Sequence, residues 1–355
     1  MVRLSAGRNL YPGPYIGRRD AFGGRKGGKM PLEIRVASIG ECMVELQRKP
    51  DGSITQAFGG DTFNTAAYLA RLGAGLGPFV SYITAIGDDP FSEDMAAFWN
   101  AQGVDDHLVL RRKGRRPGLY FIKTDTTGER RFFYWRGEAA ARETFEGEGS
   151  DELLAALEGF TSVYVSGISL AVLKPESRER LLVRLEELAR AGIAVDFDGN
   201  YRPLLWGGIE NARAAYERVI AFSTRVLVTI EELEVFGLAQ TMEAGIAYFA
   251  KMPQLEVVIK DGPGDATLIH GGKIEKVPAT KIEKVVDTTA AGDSFSATYI
   301  LGRSLGIEPA EAARRAHVVA GAVVQHHGAI IPKDATPDVF KTEIASRGNL
   351  TTAAE

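Results

Sequence analysis

Cysteine is almost missing from this chain: Cys42 is the only one in 355 residues. A single thiol excludes an intramolecular disulfide and a cysteine-built zinc site, and it fits the reducing cytoplasm. Histidine is scarce too. His107, His270, His317, His326 and His327 lack the spacing of a zinc site, and the adjacent His326–His327 pair reads as surface or helix-end chemistry. No apolar run approaches the roughly 20 residues that a membrane span needs, so no membrane partner is expected. An excess of positive charge is lacking as well, and a formal net charge of −4 gives no support for a nucleic-acid partner.

What is present is unevenly distributed. The first thirty residues are rich in Gly and Arg and set seven basic side chains against Asp20 alone. Residues 1–31 therefore read as a flexible basic extension, with the folded domain expected over 32–345 and a tail over 346–355. Gly23–Met30 nearly spells a phosphate-binding loop, but Met30 stands where a hydroxyl is needed, and the segment precedes a strand when it should follow one. From Ile34 onward strands alternate with helices. Strands are expected at 34–40, 79–85, 162–166, 194–197, 226–229 and 257–260. Helices are expected at 62–72, 91–102, 175–191, 211–222 and 242–251. This rhythm means an α/β fold with a mostly parallel sheet covered on both faces. Two stretches, about 43–58 and 117–136, alternate apolar and polar residues without an intervening helix. They read as a small antiparallel sheet beside the main one, or as its edge. Asp125–Gly128 is a hairpin-like turn within the second.

Two turns of small residues carry the candidate chemistry. Val285–Phe295 shows strand character, then Thr288, Thr289, Ala290, Ala291 and Gly292, then a helix beginning around Asp293. Small residues at a helix start let an anion approach free backbone N–H groups at the positive end of the dipole. Taken alone, Asp293 reads as a helix cap. The other turn is Phe58-Gly59-Gly60-Asp61-Thr62-Phe63-Asn64, also ahead of a helix. Paired glycines admit a ligand to the backbone, and Asn64 offers donors and an acceptor, which suits a polyhydroxylated molecule.

Together, and in this order, Gly59–Asn64 and Asp287–Asp293 resemble the two signatures of the PfkB, or ribokinase-like, carbohydrate kinases, over roughly 34–332. The resemblance implies a three-layer α/β/α domain with a small antiparallel β lid. It implies ATP and Mg²⁺, with Asp293 as general base and the backbone of Ala290, Ala291 and Gly292 as the anion hole. Many relatives have Gly at the position of Ala290, so Ala there is compatible only with a negative φ. Val257–Gly264 resembles the nucleotide-binding strand and turn, which implicates Lys260, Gly262 and Gly264. Thr229 stands in place of the Asn of an Asn-x-x-Glu motif. Only Glu232 of that motif carries over, as an indirect metal contact through water. His317 occupies the place of the adenine pocket, although an exposed helix histidine fits equally.

Two arginines bear on the substrate. Arg136 follows a lid strand and Arg202 a central strand, and a guanidinium pairs with a carboxylate in a planar fork. With Gly40–Met43 and Gly118–Tyr120, these segments resemble the branch of the family that phosphorylates 2-keto-3-deoxygluconate. That resemblance implies Tyr120, Tyr134, Arg136 and Arg202 as sugar-acid contacts, with Arg202 on the carboxylate. An exposed lid further suggests a homo-oligomer. A neutral-sugar kinase and a non-catalytic binding regulator remain as other readings, and Asp293 argues against the second. A dinucleotide fold is excluded because Gly73–Gly77 follows a helix.

Overall fold

The computed structural model describes residues 34–351 apart from 50, 78 and 125–129, so the basic extension and the Asp125–Gly128 turn lie outside the described residues. In chain order, the first half contains strands β1 (Val36–Ile39), β2 (Met43–Arg48), β3 (Ile54–Gly59), β4 (Val80–Ile83), β5 (Ala85–Ile86), β6 (Leu110–Arg111), β7 (Gly118–Thr124) and β8 (Arg130–Trp135). The second half contains β9 (Ser162–Ser166), β10 (Ala194–Asp198), β11 (Arg225–Thr229), β12 (Glu256–Lys260), β13 (Ala266–His270) and β14 (Lys273–Val277). The helices are α1 (Asp61–Leu72), α2 (Pro90–Ala101), α3 (Ser150–Ala156), α4 (Gly167–Val172), α5 (Pro175–Arg190), α6 (Ile209–Ile220), α7 (Met242–Phe249), α8 (Ala291–Ser304), α9 (Pro309–Val323) and α10 (Lys341–Thr351).

The main sheet has eight strands in the order β14-β13-β12-β11-β10-β9-β1-β4. Its strands from β4 to β12 are parallel, and β13 and β14 add an antiparallel edge. Strand residues alternate between two cores. Val36, Tyr82, Leu227 and Val258 pack with α1, α8 and α9, while Ala37, Ile83, Val226 and Val257 pack with α5, α6 and α7 on the other face. This double burial explains why the strand sequences are nearly all apolar. The chain runs one way from β1 to β4 and the other way from β9 onward, so the strand order reverses at β1. The crevice beyond the carboxyl ends at such a reversal is where open α/β sheets bind ligands.

The second sheet has four strands, β3-β2-β7-β8, and stands apart from the first. The lid expected from sequence is therefore a separate layer. It is mixed, however, where an antiparallel sheet was expected: β2–β3 and β7–β8 are antiparallel, but β2 and β7 pair in parallel with Met43 opposite Gly118. The physical reason is the connection. β2 and β7 are separated by α1, β4 and α2, a crossover long enough to return the chain in the same direction.

Two further expectations need correction. Val285–Val286 forms no strand; it is a loop tied down by the Val286 amide donating to the Val324 carbonyl at 2.7 Å. The expected tail from 346 onward is instead part of α10 as far as Thr351.

Candidate active site

A cleft of about 610 Å³ opens at the carboxyl ends of the parallel strands, beneath the lid. Its walls come from the turn before α1 (Gly59, Gly60, Asp61, Asn64), from the strand ends (Asp198, Asn200, Arg202, Thr229, Lys260), from the lid (Tyr120, Phe132, Tyr134) and from the turn before α8 (Thr288, Thr289, Ala290, Gly292, Asp293).

The α1 turn is tightly packed. A Cβ at Gly60 would lie 2.1 Å from the Glu41 carbonyl oxygen, so only glycine lets the chain cross there. The helix that follows presents Asn64, whose Nδ2 donates to Asp293 Oδ2 at 2.8 Å. Thr65 adds a hydroxyl bond to the Asp293 carbonyl at 3.3 Å. Two turns separated by more than two hundred residues thus meet. Asn64 Oδ1 is buried and lacks a partner, leaving one acceptor free at the cleft wall.

The α8 turn is open. Gly292 is exposed, and the amides of a first helical turn have no intrahelical acceptors. Asp287 shapes the approach, accepting from the Thr289 amide at 3.0 Å, the Thr289 hydroxyl at 2.7 Å and the Gly328 amide at 3.1 Å. Ala290 has φ 61° and ψ 12°, a left-handed conformation. This overturns the expectation of a negative φ at that residue: the chain must reverse sharply to start α8, and Ala carries the strain that Gly would avoid.

Charge in the cleft is mostly negative. Burial raises the Asp293 carboxyl to about 7, and the neighbouring Asp61 and Asp198 charges raise it further, against the opposing pull of the Asn64 hydrogen bond and Lys260. Lys260 is the main counter-charge. Its Nζ lies 3.1 Å from Asp198 Oδ2, which also accepts from Ser296 Oγ at 2.5 Å. Burial and the Asp198 charge likewise raise Glu232, to about 7. Glu232 accepts from the backbone amides of Tyr201 at 3.0 Å and Thr229 at 2.9 Å, so it braces the loops after β10 and β11.

The remaining expected residues divide into two groups. Tyr120 and Tyr134 stack at 5.8 Å on the lid wall, and the Tyr120 hydroxyl bonds the Glu45 carboxylate. Arg202 is exposed at the cleft, with Nη1 donating to the Tyr201 carbonyl at 3.0 Å. Arg136, by contrast, does not line the cleft. Its guanidinium is paired with the buried carboxylate of Glu41, where the chain first leaves the main sheet for the lid. Ala291, Gly262, Gly264 and His317 also lie outside the lining. His317 packs edge-on against Phe295 at 5.1 Å, and its Nε2 is buried without a partner.

Sequence reading passed over Asp61, Asp198 and Asn200 as site residues. The signal was present: polar residues end a strand that is otherwise buried, and Asp61 sits inside the first signature. Only the packing reveals that they face one cleft.

The comparisons with known proteins agree with this geometry. The model described as "pfkB family carbohydrate kinase" matches residues 33–336. The chain belongs to this family and is a carbohydrate kinase, a phosphotransferase acting on a sugar, with the ribokinase-like α/β fold. It is 44% identical over 309 residues to a protein of Escherichia coli (strain K12) named 2-dehydro-3-deoxygluconokinase, covering 86% of this chain and 100% of that one. A protein of Dickeya dadantii with the same name is 44% identical over 314 residues, covering 85% and 98%. Among solved structures, a 2-dehydro-3-deoxygluconokinase from Thermotoga maritima superposes with a TM-score of 0.72 at 22% identity, covering 89% and 99%. A fructokinase with bound ATP from Xylella fastidiosa superposes with a TM-score of 0.71 at 21% identity, covering 90% and 100%; at these identities the likeness concerns the fold alone. Among the described residues, no helix is long and apolar enough to cross a membrane.

Proposed function

We propose that the chain transfers the γ-phosphoryl group of ATP to the C6 hydroxyl of 2-keto-3-deoxygluconate, with Asp293 as general base. The observation that carries the mechanism is the 2.8 Å bond between Asn64 and Asp293, which fixes the acid's orientation at the open end of α8. Asp293 takes the proton of the C6 hydroxyl, and the oxygen attacks the γ-phosphorus. The bond from that phosphorus to the β–γ bridging oxygen breaks, and ADP leaves. A carboxyl raised to about 7 is well matched to this task near neutral pH. The α8 first-turn amides of Ala291 and Gly292, following the Ala290 turn, would receive the charge that develops on the phosphoryl oxygens. Lys260 lies just beneath, 3.8 Å from where a Gly292 Cβ would stand, and would add charge on the nucleotide side. The substrate assignment is supported by the names of the relatives at 44% identity and by Arg202, a free guanidinium at the cleft.

Mg²⁺ accompanies ATP in such chemistry, but the described residues do not fit a resident metal site. No group of three or more His, Cys, Asp or Glu comes together among them, and both Glu232 oxygens already hold backbone amides. A homo-oligomer fits the exposed lid aromatics, among them Trp135 at 61% and Phe132 at 46%.

A neutral-sugar kinase is the second reading. One observation favours it: Glu41 occupies Arg136, which leaves Arg202 alone for a carboxylate. A fructokinase of Klebsiella pneumoniae is 28% identical over 269 residues. ADP release measured with a panel of sugar acids and neutral sugars separates the two. Turnover of the keto-deoxy acid is expected, and turnover of fructose without it would overturn the assignment.

A further inference from the structure

Asn200 and Ala290 are the two residues other than glycine with positive φ among the described residues, and both line the cleft. Ala290 is accounted for by the turn into α8. Asn200 is not part of a helix start. It lies just beyond β10 with φ 36°, and its Nδ2 donates to Asp61 Oδ2 at 2.9 Å. A strained backbone that aims one amide at one carboxylate points to a functional constraint.

Asp61 is itself unusual. It is 8% exposed, belongs to no salt bridge among the described residues, and still lines the cleft. Its other partners are the Ser166 hydroxyl and the Thr62 amide. A buried carboxylate without a cation is costly, and stability alone gives no reason to retain it. Its surroundings locate it. Asp61 is a charge felt by Asp293, and Arg202 is a charge felt by Asp61. It therefore stands between the proton acceptor and the guanidinium assigned to the substrate carboxylate.

That position has a counterpart in the substrate. A 2-keto-3-deoxy acid has its carboxylate at C1 and its reacting hydroxyl at C6. C3 bears no hydroxyl, so the hydroxyl nearest the middle of the chain is at C4. We propose that Asp61, held by Asn200, reads the C4 hydroxyl of the keto-deoxy acid, and so distinguishes the gluconate-derived acid from its C4 epimer, the galactonate-derived acid. Asp61 accepts the hydroxyl proton in a hydrogen bond, and the Asn200 amide keeps the carboxylate aimed. The wrong epimer turns its hydroxyl away and leaves the carboxylate facing a C–H. Sites built to bond a hydroxyl reject a ligand that lacks it there.

This inference rests on the substrate reading above, and one set of measurements separates the two. The kcat/KM is determined for both epimers at pH 8, where Asp293 is mostly ionised, in the wild type, Asp61→Asn and Asn200→Gly. The Asn200→Gly substitution keeps the left-handed backbone available while removing the side chain. The wild type is expected to favour one epimer by at least roughly tenfold. Asp61→Asn should lower kcat/KM for that epimer by roughly 10- to 100-fold and bring the ratio towards one, with the KM for ATP unchanged. Asn200→Gly should shift the ratio the same way, less strongly, and it serves as the test should Asp61→Asn fail to fold. A wild type indifferent to the epimers, or variants that slow both epimers equally, would overturn the C4 assignment and leave the kinase reading intact. A wild type that phosphorylates neither acid removes the substrate reading and the C4 assignment together.

Discussion

The turns before α1 and α8 are built from the same kind of residue and meet in the same cleft, yet one is closed and the other open. At α1, Gly60 is jammed against the Glu41 carbonyl and every helical residue except Arg71 is buried. At α8, Gly292 is exposed, and the nearest atom to a Cβ added there is Lys260 Nζ at 3.8 Å. The first turn uses small residues so that protein can pack against protein. The second uses them so that a ligand can reach the backbone. Similar composition therefore serves two physical ends, and neighbouring atoms decide which.

Substitutions can break this contrast, and the largest effect is expected at Asp293. Asp293→Asn should lower kcat by roughly 10²- to 10⁴-fold while ATP binding, followed by calorimetry, is retained. A kcat within about threefold of wild type would remove Asp293 as the base. Next comes the glycine pair itself. Gly292→Ala should fold normally yet lose kcat on the order of a hundredfold, because a methyl displaces the phosphoryl group from the amides. Gly60→Ala should instead lower thermal stability by roughly 1–3 kcal/mol or more, read as a drop in Tm. If Gly60→Ala kept its Tm and Gly292→Ala lost it, the closed and open assignments would be reversed.

Arg202→Ala should raise the KM of the sugar acid by roughly thirtyfold, corresponding to about 2 kcal/mol for a charged hydrogen bond, with kcat little changed. An unaltered KM would place the carboxylate elsewhere. A subtler effect is expected in the pH profile. The base must be ionised, so kcat/KM should fall as pH drops below about 7. Asn64 donates to the ionised form and lowers the Asp293 value, so Asn64→Ala should move that acidic limb to higher pH. A limb that stayed in place or moved to lower pH would contradict the contact. The smallest effect belongs to Ala290→Gly. Relief of the left-handed alanine should stabilise the protein by at most about 1 kcal/mol, a few degrees in Tm, and a fall in Tm would contradict the strain.

Much of the main sheet was legible from local pattern. The β9 strand was placed at 162–166, where it is found, and the helices at 91–102 and 175–191 agree with α2 and α5 to within a residue at each end. Local pattern failed where pairing or neighbours decide. The parallel β2–β7 pairing depends on a crossover between segments distant in sequence. Val285–Val286 has strand-forming side chains but no strand to join. Arg136 read as a substrate contact because its lid-strand context matched; the buried Glu41 that holds it lies 95 positions away in the chain.

By itself the sequence determined the chemical inventory: two small-residue turns, the residues in them, and strands apolar enough to be covered on both faces. Only the tertiary structure decided that Asp61, Asp198, Glu232 and Asp293 crowd one cleft around Lys260, and that burial and this crowding raise Asp293 to about 7. The reason is that charge interactions and desolvation depend on distance and burial, which are properties of the folded chain and not of residue order.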